Sequence, residues 1–178
     1  MKAVFILLLG IISVKSYTAM NDDIFHAARS GDLAIVKEVL SIDPKAIDRQ
    51  DYKGYSPLIL AVYNEQEEIV DYLLEQGASV SLKDNSGNSA LMGASFKGYY
   101  ALAEKLLKAG AEIDAANHNK ATALTFASTF GHEDLVRLFI SKGANPNLED
   151  IRGMSPIDHA KAQGNMVIVE LLSKNKAY

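Results

Sequence analysis

Apolar residues recur along this chain in paired doublets: Ile69-Val70 with Leu73-Leu74, Leu102-Ala103 with Leu106-Leu107, Leu135-Val136 with Phe139-Ile140, and Ile168-Val169 with Leu171-Leu172. Side chains three and four positions apart share one face of a helix, so each set predicts a short amphipathic helix with a single buried stripe. Successive sets are offset by 33 residues, and the same register aligns Asp51, Asp84, Asn117 and Asp150, then Ala61, Ala94, Ala127 and Ala160. A period of this length marks an array of supersecondary units that bury their apolar faces against one another.

Within each unit the polar positions supply helix boundaries. Ser56, Ser89, Thr122 and Ser155 precede apolar runs and serve as N-caps, and Pro57 and Pro156 occupy the first helical position, where the missing N–H costs nothing. A first helix therefore begins at each of these points and the doublets form a second. The small alanine on each first helix lets neighbouring helices approach closely. Glycines close the second helices at Gly77, Gly110 and Gly143, separate the two helices at Gly98, Gly131 and Gly164, and turn the connecting fingers at Gly54, Gly87 and Gly153. Lys120 and Glu65 stand where this pattern has glycine elsewhere. The third finger, Asn117 to Ala121, is accordingly expected to deviate most, and Asn64 to absorb the awkward dihedrals beside Glu65.

These residues resemble the ankyrin repeat, with its Asp-x-x-Gly-x-Thr-Pro-Leu-His opening, its alanine, Gly-His, Ile-Val-x-Leu-Leu and closing Gly-Ala. The resemblance covers about residues 22 to 178 and implies an all-α solenoid of stacked helix-turn-helix units with β-turn or hairpin fingers. About five repeats are expected: caps at 22–50 and 150–178, and full units at 51–83, 84–116 and 117–149. Departures are informative too. The family histidine after Pro-Leu is replaced by Ile59, Met92, Thr125 and Asp158, so the hydrogen-bond link between neighbouring turns is expected to be lost, with apolar packing substituting at Ile59 and Met92. Phe126 shares the register of Leu60 and is expected in the core.

The start of the chain changes the picture. Lys2 precedes the apolar run Ala3 to Val14, which is too short to span a bilayer and is followed by small or polar residues. Residues 1–16 are read as a signal peptide, with cleavage as late as residue 19 the alternative, and an uncleaved anchor the other reading of the same pattern. Such a short signal with one lysine looks bacterial, which points to the periplasm, or alternatively to secretion. No cysteine occurs, which removes disulfides, thiolate metal sites and a lipid-anchoring cysteine. The net charge of −4 becomes more negative once Lys2 and Lys15 leave with the signal, and argues against nucleic acid as ligand.

No catalytic constellation accompanies the fold. His26, His118, His132 and His159 are dispersed over the repeats, Gly93-Ala94-Ser95-Phe96-Lys97 lacks the last glycine of a nucleophile elbow, and Glu65, Glu67 and Glu68 sit at the start of a second helix, where they complement its dipole. The expectation is a monomer with no enzymatic activity, cofactor, metal or membrane association after signal removal. The family's variable contact positions, carried onto this sequence, imply a concave partner-binding face built from Arg29, Tyr52, Lys53, Tyr55, Tyr63, Asn64, Asn88, Phe96, Lys97, Phe130, Arg152 and Met154, with Asn119, Thr129 and Ile151 among the same positions. Its aromatic members are the residue types that dominate interface energy. The small exported proteins it resembles imply either an immunity protein or an accessory factor for an envelope or oxidative-stress enzyme; the alternative is a secreted effector that engages a host protein.

Overall fold

A computed structural model describes residues 24–174; the expected signal segment over 1–16 lies outside them. The described chain is helical throughout. Its elements are α1 (24–30), α2 (Leu33–Ile42), α3 (Pro57–Tyr63), α4 (Glu67–Glu75), α5 (Ala90–Lys97), α6 (Tyr100–Lys108), α7 (Ala123–Phe130), α8 (Glu133–Ser141), α9 (Pro156–Ala162) and α10 (Met166–Lys174). The caps are those the sequence dictates. The Ser56 and Ser89 hydroxyls accept the amides of Ile59 and Met92 at 3.2 and 3.3 Å, and Thr122 forms a reciprocal capping box with Thr125. At α9 the Asp158 carboxylate accepts from both the amide and the hydroxyl of Ser155.

Odd-numbered helices form an inner row, in which α3, α5, α7 and α9 pack on one another in sequence, and even-numbered helices form an outer row. Ala61, Ala94, Ala127 and Ala160 are completely buried where the inner helices meet. The inner helices consequently approach more closely than the outer ones, which curves the stack toward its inner side. One apolar core runs the length of the stack from Ile24 to Leu172. The first connection folds into a 3-10 helix, Pro44–Asp48, capped by Asp43, whose carboxylate also pairs with Arg49 at 2.6 Å.

Two expectations about the fingers need correcting. The third finger does not deviate. Asn117 donates to Ala121 at 3.0 Å, Lys120 donates to Asn117 at 2.9 Å, and the Asn117 side chain accepts from Asn119 and Ala121, reproducing the bonds that Asp51 makes with Lys53, Gly54 and Tyr55. Lys120 simply adopts the left-handed conformation itself, at φ 57°. Glu65 does likewise at φ 57°, whereas Asn64 stays at negative φ and uses its side-chain amide to donate to the Leu60 carbonyl.

Neighbouring fingers are also linked despite the missing histidines. The amides of Asn85, His118 and Ile151 donate to the carbonyls of Lys53, Ser86 and Asn119 at 2.9, 3.1 and 3.0 Å. The backbone thus links the turns whose hydrogen bond was expected to be lost, while Ile59 and Met92 are buried as expected. Among the described residues the fingers are turns, with one isolated antiparallel bridge between Lys83 and Ser89.

The two left-handed side chains lead to a stability prediction. A non-glycine residue in that region costs roughly 1–2 kcal/mol, offset in part by the roughly 0.5–1 kcal/mol that glycine loses in chain entropy. Lys120→Gly and Glu65→Gly are each expected to stabilise the chain by about 0.5–1 kcal/mol in urea unfolding, and a loss of stability in both would contradict this account.

Candidate functional site

The inner row and the finger tips line the concave side. Along it the structure separates the expected contact residues into two groups. Tyr52 stands 84% exposed at its finger tip with Lys53 Nζ 5.5 Å from its ring centre. Phe96 and Phe130, at the ends of α5 and α7, are 38% and 48% exposed and meet edge to face at 4.6 Å, a geometry that suits their ring quadrupoles. Arg29, Lys97 and Arg152 are exposed as well.

The second group is held by the framework. Tyr63 is half-buried and covers Gly93, where a Cβ would lie 2.9 Å from its ring; this close approach explains a glycine inside α5. Burial, then the Asp84 and Tyr55 charges, push its hydroxyl up to about 12, so it remains protonated. Tyr55 leans on it with ring centres 6.1 Å apart. Asn88 is half-buried, donating to Asp84 and accepting from Asn117 at 2.8 Å. The Met154 amide and the Asn64 side chain are likewise engaged by their own finger and helix.

Beside Phe130 the concave side deepens into a pocket of about 350 Å³, bounded by α7, α9 and the third and fourth fingers. Phe126, Thr129, Phe130 and Ile151 form its walls, Arg152 its rim, and Asp150 with His159 its inner end. Phe126 is therefore not core: it is half-buried and opens onto the pocket, because the register that buries Leu60 between closely packed inner helices carries the larger Phe126 and His159 rings toward the fingers. Sequence reasoning also missed Asp150 and His159. His159 is buried, with its Nε2 3.0 Å from Asp150 Oδ2. The same oxygen accepts from Arg152 Nε and Nη2 at 3.2 and 3.1 Å, while Oδ1 accepts the amides of Arg152 and Met154. Burial would raise the Asp150 carboxyl, yet the amides of Met154 and Arg152 and the side chains of His159 and Arg152 outweigh it and hold it at about 2. A histidine nine residues after the finger aspartate was the only signal in the sequence.

A family model described as ankyrin repeats (3 copies) matches residues 24–117 and 91–178. The chain belongs to the ankyrin-repeat family. Similar proteins include Ankyrin repeat and SAM domain-containing protein 6 of Danio rerio, 38% identical over 58 residues, which is 33% of this chain and 8% of the relative. Ankyrin repeat domain-containing protein 29 of Danio rerio is 33% identical over 72 residues, 40% of this chain and 24% of the relative. The aligned stretches thus span less than a quarter of the length of these relatives. Ankyrin repeats are protein–protein interaction modules, and the stacked units here present the surface on which such modules work.

Proposed function

We propose that this chain is an exported binding protein that holds a protein partner on its concave side, anchored on the exposed aromatic residues. The observation that carries the reading is the Phe96–Phe130 pair, exposed at the middle of that side and adjoining the pocket. An isolated surface aromatic would be ordinary, but two rings meeting edge to face beside a concavity on a rigid scaffold form the kind of anchor that contributes most to interface energy. The framework group, Tyr63, Tyr55 and Asn88, supports the face by fixing its backbone. In this reading the stack comprises units at 22–50, 51–83, 84–116, 117–149 and 150–178, acts as a monomer, and follows a signal over 1–16 into the periplasm, where it serves as an immunity protein or an accessory to an envelope or oxidative-stress enzyme.

Replacing Tyr52, Phe96 and Phe130 together by Ala tests this directly. Capture of the partner from an envelope extract is expected to fall by at least roughly tenfold with the helical circular dichroism unchanged. Undiminished capture would remove the concave side from consideration. Recovery of the chain from culture medium rather than the periplasm would assign it instead to secretion.

A further inference from the structure

We propose that the partner segment taken by the concave side is acidic and carries one bulky apolar side chain, which enters the pocket between Phe130 and Ile151 while neighbouring carboxylates meet Lys120 and Arg152. This rests on the concave-side reading above and adds the chemistry of the partner.

Charge segregation carries the inference. The chain has a net charge of −4, yet α3, α5 and α7 contain no acidic residue. The one acid of α9, Asp158, is occupied by Ser155 and lies 3.7 Å from Lys161 Nζ. The finger aspartates are turned inward: Asp51 accepts the amides of Lys53 and Tyr55, and Asp84 those of Ser86 and Asn88, all at 2.8–2.9 Å. Glu65, two residues past the end of α3, is exposed, and its charge raises the Tyr99 hydroxyl after burial does. The outer row carries more acids than bases, with Glu38, Asp71, Glu104, Glu133 and Glu170 coming from its five helices in turn and Lys105, Lys108 and Lys174 pairing with some of its acids. Along the tips and inner-helix ends the exposed cations Arg29, Lys53, Lys97, Lys120 and Arg152 outnumber the exposed acids Glu65 and Glu149. A negatively charged molecule whose concave side carries an excess of cations is complementary there to an anionic segment.

Two features bring the charge to the pocket. Arg152 is anchored through Nε and Nη2 to Asp150, which leaves Nη1 without a partner among the described residues and the guanidinium pre-oriented at the rim. Lys120 stands in the third finger between Asn119 and Ala121, which line the pocket, and keeps its side chain in a left-handed conformation where the other full fingers have glycine. The pocket, at about 350 Å³, lies at the small end of the ligand-site range and is walled by Phe126, Phe130 and Ile151, which suits a single large apolar side chain.

Selection of a displayed library of short random peptides on the full chain tests the proposal, followed by fluorescence anisotropy with a labelled synthetic copy of the enriched sequence. The expected winners place Asp and Glu around one Phe, Leu, Ile or Trp, and their affinity falls as salt rises. Phe130→Ala with Ile151→Ser is expected to weaken binding roughly thirtyfold, the cost of losing a central anchor. Lys120→Gly is expected to weaken it roughly two- to fivefold, the worth of an exposed ion pair, while leaving the chain no less stable, which a merely structural role for Lys120 would not do. Basic or uncharged winners that still require Phe130 would overturn the acidic assignment and leave the concave-side reading standing. No enrichment, or winners indifferent to Phe130 and Ile151, would overturn the pocket as their site. Self-association abolished by Lys120→Gly would make a second copy the occupant and overturn the proposal equally.

Discussion

Phe139→Ala is expected to lower the unfolding free energy by about 3–5 kcal/mol, the usual range for removing a fully buried ring. Phe139 heads the fully buried side chains by volume, at 0% exposure. It sits on α8, which packs against α7 within its own unit and against α6 and α10 on either side, so the cavity weakens two interfaces between units as well as one helical pair. Stability in a repeat stack is a sum of unit and nearest-neighbour terms, and the loss should therefore be uneven along the chain. Urea unfolding followed by circular dichroism is expected to change from one transition to two, with α9 and α10 released first. A single transition shifted by less than about 1 kcal/mol would show that the units are not coupled through this helix.

Asp150→Ala carries the second large effect. The carboxylate accepts two backbone amides of its own finger, the Arg152 guanidinium and the ring of buried His159. Removing it leaves the buried histidine and two amides without the acceptor they share, a loss of roughly 3–5 kcal/mol for a broken buried pair. Acid should mimic the mutation. The Asp150 carboxyl lies at about 2 in the folded chain against 3.8 unfolded, so its contribution is complete above the unfolded value and disappears as pH falls from about 3.8 through about 2. Urea midpoints across that window are expected to fall more steeply for the natural chain than for Asp150→Asn. Parallel curves would show that the carboxylate is not held by these donors.

Both predictions depend on features of different legibility. Phe139 was readable because helix periodicity alone places it on the buried stripe of a second helix. The caps at Ser56, Ser89 and Thr122 were equally plain, since a hydroxyl and the amide it accepts are separated by three residues and the geometry follows from the helix itself. The third finger shows the limit of such local reasoning. Lys120 was expected to reshape it, but the Asn117 side chain and the link from Ile151 to Asn119 hold the turn in the common form, and the residue adopts the strained dihedrals instead.

The binding side was legible as a set of positions, because the family pattern names them, and not as a shape. Tyr63 and Phe130 hold related places near the ends of first helices, yet one ring covers Gly93 and the other meets Phe96 beside the pocket. Which of these occurs depends on the residue facing it from the next unit.

By itself the sequence determined the repeat, the order and ends of the helices, and the buried stripe, because each is set by contacts within a few residues of chain or by strict periodicity. Only the tertiary structure decided that Phe126 opens onto a pocket with Phe130 and Ile151, that Asp150 gathers His159 and Arg152, and that exposed cations outnumber acids along the concave side. Those outcomes join residues from different units, and they turn on how far each layer rotates against the last, a quantity fixed by the packing of whole helices and by no local stretch of chain.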